Sequence, residues 1–149
     1  FRFFNTYGPR QSEDFVLPRY VQAALRNEPL FVYGDGSQTR TFCYVDDTVE
    51  TCVKAHESNV FENDVINVGS ESEITILELA RMVIKLANSN SRIEFQPPLT
   101  EGDMTRRCPD TAKMRQLLDR PLVKLEDGIR RLIEHYGTPA AQAAVATAR

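Results

Sequence analysis

The sequence predicts a mixed α/β fold, and three observations carry that expectation. Short apolar or β-branched runs recur at 1–5, 30–34, 41–45, 64–69 and 92–95. Between them lie segments whose apolar residues repeat at helical spacing. Turn and cap signals separate the two kinds of segment, so that strands and helices alternate along the chain. The 149 residues, 42% hydrophobic and 26% charged, suit one folded domain or a large piece of one. A net charge of -3 argues against a nucleic-acid partner, and no apolar run approaches the roughly 20 residues of a membrane span. The amino-terminal residues lack the apolar stretch of a signal peptide.

Residues 1–5 (FRFFN) read as a strand, ended by the turn signal Tyr7-Gly8-Pro9. Residues 15–26 read as a helix, in which Pro18 is tolerable only within the first turn. Pro29 ends that segment, 30–34 (LFVYG) is a strand, 34–37 (GDGS) a turn and 41–45 (TFCYV) a further strand. Asp47, with Glu50 three residues on, is expected to cap a helix whose Val49, Cys52, Val53 and His56 share one face. The run 64–69 (DVINVG) reads as a buried strand. Thr75 and Glu78 then form a capping box, with Ile74 and Leu79 as a hydrophobic staple, opening a helix to about residue 88. Residues 92–95 are a strand stopped by Pro97-Pro98, and 99–109 a polar loop carrying Asp103, Arg106 and Arg107. Asp110 is expected to cap a short helix with Met114, Leu117 and Leu118. Leu125, Ile129, Leu132, Ile133 and Tyr136 mark the last helix, with Gly137 as its stop, and 138–149 reads as a flexible tail.

The chemistry-bearing residues favour binding over catalysis. Cys43, Cys52 and Cys108 form no metal or redox spacing, and His56 and His135 lie far apart, so we expect no metal site. Small core thiols fit a reducing compartment, and the cytoplasm is the expected location. Gly34-Asp35-Gly36-Ser37 is glycine-rich but lacks the third glycine of a dinucleotide fingerprint and the Gly-Lys-Ser/Thr of a Walker loop. Its expected task is to present Arg40 at the start of the next strand. Arg40 and the pair Arg106-Arg107 could serve a diphosphate, because guanidinium matches phosphate bidentately; the alternative is an ordinary surface role. Asn5 ends the first strand, where α/β proteins place ligands; a turn bond to its own backbone is the competing reading. Asp46-Asp47 is better explained by capping than as a catalytic pair, and no nucleophile elbow is present.

Four blocks together resemble one family. They are R-x-F-N-x-Y-G-P-R (from Arg2 to Arg10), the run from Leu30 through Arg40 to Asp47, D-V-I-N-V-G followed by T-I-L-E-L-A, and D-M-T-R-R-C-P-D-T-A-K over 103–113. In that order and spacing, over 1–136, they are similar to extended short-chain dehydrogenase/reductases acting on nucleotide sugars. The pattern at Arg107, Pro109 and Asp110 resembles the UDP-glucuronate decarboxylases most, whereas Glu101-Gly102-Asp103 is closer to epimerases and dehydratases.

The resemblance implies the C-terminal part of an extended Rossmann-type fold, mainly its small mixed α/β substrate-binding domain, over 1–137. It implies a parent enzyme, closest to UDP-glucuronate decarboxylase, that uses bound NAD to form a 4-keto sugar. A dTDP-glucose 4,6-dehydratase or a UDP-sugar 4-epimerase is the alternative, and a non-catalytic nucleotide-sugar-binding module the alternative of another class. By position, Asn5 corresponds to a sugar or diphosphate contact and Phe4 to a position near the nicotinamide. Phe31 and Tyr33 correspond to a strand whose backbone reads the nucleobase. Arg40 and Arg107 correspond to diphosphate arginines, Arg107 with a possible part in decarboxylation; Arg106 leaves that register open by one residue. The glycine-rich NAD fingerprint and the Tyr-x-x-x-Lys pair of such enzymes are not in this sequence. NAD is therefore expected to be held by an N-terminal Rossmann half that this chain lacks. Phe1, inside a strand pattern, fits a fragment of a longer protein. This fragment alone is expected to be inactive, and the parent to be a homodimer.

Overall fold

A computed structural model describes residues 1–98 and 106–138. The elements in order are β1 (Arg2–Phe3), β2 (Thr6–Tyr7), α1 (Val16–Leu25), β3 (Leu30–Tyr33), β4 (Thr39–Thr41), β5 (Cys43–Tyr44), α2 (Val45–Ser58), β6 (Asn67–Val68), β7 (Glu73–Thr75), α3 (Ile76–Leu86), β8 (Ile93–Gln96), α4 (Ala112–Leu117) and α5 (Leu125–Gly137). The class is the expected mixed α/β. Among the described residues the strands pair two by two: β1 with β6, β2 with β5 and β3 with β8 in parallel, and β4 with β7 antiparallel.

Two apolar clusters organise these pairs. In the larger one, α1, α3 and α5 close over β3, burying Leu17, Val21, Leu30, Val32, Leu79, Val83, Ile129 and Leu132. Tyr7 enters this core from β2, where it packs edge-on against Tyr44 with ring centroids 5.4 Å apart. Tyr7 also approaches α5 at Gly128, where a Cβ would collide with its ring and hydroxyl. The smaller cluster sets Cys43, Ala55, Ile66 and Val68 against Met114, Leu117 and Leu118 of α4 and the residue after it.

Helix α3 follows its local code. Thr75 Oγ1 accepts from Glu78 N at 3.1 Å, and Glu78 returns a bond from Thr75 N at 3.0 Å, which completes the capping box. The distant turn before β4 completes that end as well. Gly36, at φ +74°, accepts from Leu77 N, and Gln38 O accepts from Ile76 N, both at 3.1 Å. A positive φ is open to glycine at little steric cost, and here Val32 and Leu77 leave no room for a Cβ.

Other elements depart from the local reading. The expected strand at 41–45 is interrupted at Phe42, and its halves join different partners, β4 with β7 and β5 with β2. Helix α2 starts at Val45 with Tyr44 as its N-cap, so Asp47 is not the cap. Asp47 instead lies inside the first turn, fully buried, and serves residues distant in sequence. Its Oδ1 accepts from Arg120 Nη1 at 2.7 Å and its Oδ2 from Val123 N at 2.9 Å. Glu50 completes the clasp by accepting from Arg120 Nη2 at 2.6 Å. The face of α2 that buries is Asp47, Thr48, Thr51 and Ala55, so the Val49 and Val53 stripe points outward. Thr111 rather than Asp110 is the N-cap of α4, although Asp110 Oδ1 still accepts from Ala112 N at 2.9 Å. The expected tail lies, apart from Thr138, outside the described residues. Among the described residues, no helix is long and apolar enough to cross a membrane.

The Asp47 clasp ties the α4–α5 connection to α2. Asp47→Ala would leave the Val123 N–H without its acceptor and Arg120 without its buried partner. We expect a loss of about 3 kcal/mol by urea denaturation, and a much smaller loss for the more exposed Glu50→Ala.

Candidate functional site

The parallel pair β1–β6 brings two chain segments to a common carboxyl end. Phe4 N donates to Val68 O at 2.9 Å, and the next residue on that side is Gly69. A Cβ on Gly69 would stand 2.9 Å from both Phe4 Cβ and Pro109 Cγ. Glycine here thus lets the end of β1 and the loop before α4 close on one point. Above it, the Arg107 guanidinium carbon lies 5.6 Å from the Phe4 ring centroid, within the range of a cation–π contact.

Asn5 follows at φ 42°, a left-handed conformation that asparagine tolerates better than most residues. Its Nδ2 donates to Thr41 O at 2.9 Å and its own carbonyl accepts from Cys43 N at 3.1 Å. These bonds run to a different segment, not to the local turn weighed from sequence. They hold the end of β1 against β4, the strand of Arg40. Arg40 is half-buried in that strand, opposite Ile74, and its Nη1 donates to Thr39 O at 2.7 Å.

The adjacent arginines divide. Arg106 is committed to Glu73: its Nε lies 3.0 Å from each carboxylate oxygen and its Nη2 lies 2.5 Å from Oε1. Thr39 Oγ1 donates to the same carboxylate at 3.0 Å. These bonds, that of Arg106 foremost, pull the Glu73 carboxyl down to about 2. Arg107 stacks on Phe4 instead. Farther along the loop, Glu71 accepts from Thr111 N at 3.0 Å and Thr111 Oγ1 at 2.8 Å and also pairs with Arg115. The Thr111 backbone bond leads in holding Glu71, too, at about 2. Asn67 Nδ2 completes the attachment by donating to Asp110 O at 3.0 Å. No spacing in the sequence singles out Glu71 or Glu73, because their partners lie 33 to 44 residues away.

Phe31 and Tyr33 stand apart on β3, with Phe31 exposed and Tyr33 half-buried. The Phe31 carbonyl accepts from the Tyr20 hydroxyl at 2.8 Å, and that of Tyr33 from Gln38 Nε2 at 3.1 Å. A separate open cleft of about 810 Å³ is lined by Phe42, Glu71, Glu73, Arg115 and Lys124, among others. It includes none of the six residues assigned from sequence, and its carboxylates at 71 and 73 are already occupied by internal partners.

Burial pushes the Cys43 thiol up to about 11 and, in the core, the Tyr20 hydroxyl up to about 12. Burial also raises Tyr7 far above the usual phenol range, and its hydroxyl faces Leu125 O at 3.5 Å.

Comparison with known proteins agrees with this architecture. The NAD dependent epimerase/dehydratase family matches residues 1–69. UDP-glucuronic acid decarboxylase 4 of Arabidopsis thaliana is 42% identical over 138 residues, covering 91% of this chain and 30% of the relative. Residues 1–69 thus carry the pattern of the NAD dependent epimerase/dehydratase family. A UDP-N-acetyl-alpha-D-glucosaminuronate decarboxylase of Bacillus cytotoxicus is 38% identical, over 91% of this chain and 44% of that protein. Among solved structures, UDP-glucose 4-epimerase of Thermotoga maritima with UDP-glucose superposes with a TM-score of 0.84 at 29% identity, over 91% of this chain and 44% of that one. The UDP-glucuronic acid 4-epimerase of Bacillus cereus, in complex with UDP-glucuronic acid and NAD, gives 0.80 at 32% identity with the same coverage. The chain thus spans less than half the length of these relatives.

The two depressed carboxylates make the 106–111 loop acid-sensitive. A carboxyl held near 2 in the folded chain, against an ordinary 4.5, contributes stability that is fully present above about 4.5. That contribution is lost as pH falls from there through about 2. Denaturant titrations at successive pH values should therefore show declining stability below about 4.5, with a shallower decline in the Glu71→Gln, Glu73→Gln double variant.

Proposed function

We propose that residues 1–137 form the nucleotide-sugar-binding part of an NAD-dependent enzyme that decarboxylates UDP-glucuronate. The observation that carries this reading is the division of the arginines. Glu73 neutralises Arg106, whereas Arg107 lies over Phe4 at the carboxyl end of β1, beside Asn5. Asn5 in turn is bonded to the strand that bears Arg40. In this reading Arg40 and Arg107 take the diphosphate, Asn5 the sugar or diphosphate, and Phe31 and Tyr33 the nucleobase side. The decarboxylases at 42% and 38% identity favour removal of a carboxyl group from the sugar. The epimerase structures, at TM-scores of 0.84 and 0.80, support 4-epimerisation as the second reading.

The glycine-rich turn of this chain does not suit a dinucleotide cradle. The Gly34–Gly36 turn leads into β4 and not into a helix N-terminus, so it offers no helix dipole to a pyrophosphate. Phe4 is the one position here assigned near the cofactor. We accordingly place NAD on a Rossmann half outside this chain, and expect these residues alone to lack activity. A homodimeric, cytoplasmic parent belongs to the same proposal.

Incubating the full-length protein with UDP-glucuronate should release carbon dioxide and a UDP-pentose. A UDP-hexuronate epimer with no carbon dioxide would favour the second reading. Arg107→Ala should weaken UDP binding about ten- to a hundredfold, as expected for one lost charge-assisted phosphate contact. Arg106→Ala should cost less than Arg107→Ala, no more than about tenfold, because that guanidinium contacts Glu73 and not the diphosphate. The reverse order in calorimetric titrations would place the ligand contact on Arg106.

A further inference from the structure

One carboxylate stands between the two segments that carry the proposed diphosphate arginines. Glu73 opens β7 and lies opposite Thr41 across the antiparallel β4–β7 ladder. It accepts from Thr39 Oγ1 at 3.0 Å, and from Arg106 through Nε at 3.0 Å and Nη2 at 2.5 Å. Thr39 is the residue before Arg40, and Arg106 the residue before Arg107. The same two positions also meet through the backbone, in an isolated parallel bridge between Thr39 and Arg106. Positions 39 and 106 are therefore locked together twice, and each is followed at once by a proposed ligand arginine.

We propose that Glu73 is a positioning residue that clamps Thr39 to Arg106 and thereby sets the spacing of Arg40 and Arg107. The inference rests on reading those two arginines as diphosphate ligands. In extended backbone, successive side chains point to opposite sides. Holding Arg106 on the Glu73 side sends Arg107 to the Phe4 side, where its guanidinium is found. Without the clamp, two neighbouring arginines on a loop would compete for one anion, and binding would have to order the loop first. The Glu73 side chain is only 24% exposed and engages Arg106 with both oxygens, so this pair has more geometric definition than an ordinary surface pair. Its carboxyl is held well below the ordinary range, chiefly by Arg106, so the charged form is favoured.

The test is calorimetric binding of UDP and of uridine to the full-length protein in wild-type, Glu73→Gln, Thr39→Val and Arg107→Ala forms. Glu73→Gln, nearly isosteric, should weaken UDP about five- to tenfold and leave uridine within about twofold, because uridine carries no diphosphate for the arginines to hold. Thr39→Val, which removes one arm of the clamp, should weaken UDP about two- to threefold with uridine again unmoved. Unchanged UDP affinity in Glu73→Gln, beside a large loss in Arg107→Ala, would overturn the clamp and leave the diphosphate reading standing. Equal losses on UDP and uridine would overturn it as well, since they would mark a general loss of structure. Full UDP affinity in both Glu73→Gln and Arg107→Ala would overturn the diphosphate reading and the clamp with it.

Discussion

The missing side chain at Gly69 is the constraint on which the candidate site depends. Phe4 and Pro109 close on this residue from two directions, at distances that admit no Cβ. Without that approach the 106–111 loop could not lie against the end of β1, and Arg107 would have no aromatic surface to rest on. The parallel β1–β6 pairing supplies the frame, and Met114, whose sulfur accepts from Gly69 N at 3.3 Å, seals it from below. A close backbone approach at the carboxyl end of a strand is where an α/β protein can bring several loops onto one ligand.

The loop is held by charge as well as by this packing. Glu71 and Glu73, two residues apart in the β6–β7 connection and the strand it feeds, each take a basic partner from the loop or from α4. Exposed pairs of this kind are individually weak. Here they act with Thr39, Thr111 and Asn67, so that several bonds fix one short segment. The Asp47 clasp does the same for the connection between α4 and α5. The smaller core under α4 would otherwise be joined to α2 by few apolar residues.

What was legible in the sequence was local. The Thr75–Glu78 capping box and the stripe of α3 depend on residues three or four apart and appear as written. The strand at Leu30–Tyr33 and the last helix are equally direct, because their patterns match their burial. Asp47 shows the limit. An acidic residue before an apolar stripe has the form of an N-cap, yet its partners Arg120 and Val123 stand more than 70 residues away. The same limit applies to β4 and β5, where a continuous apolar run is divided by two pairing partners distant in sequence. Val49 and Val53 form a good helical stripe, but α2 turns it outward. In the candidate site the arginines were visible as residue types. Which of Arg106 and Arg107 faces the end of β1 is decided by Glu73, a long-range partner that no spacing reveals.

Arg40 and Arg107, from two segments joined at the end of β1, are proposed to take one diphosphate. The most direct measurement is a crystal structure of the full-length protein with UDP-glucuronate bound. Both guanidinium groups are expected within hydrogen-bond distance of diphosphate oxygens, with Arg106 still on Glu73. A structure with the two guanidinium groups on opposite faces, or with Arg106 on the diphosphate and Arg107 turned to solvent, would contradict it.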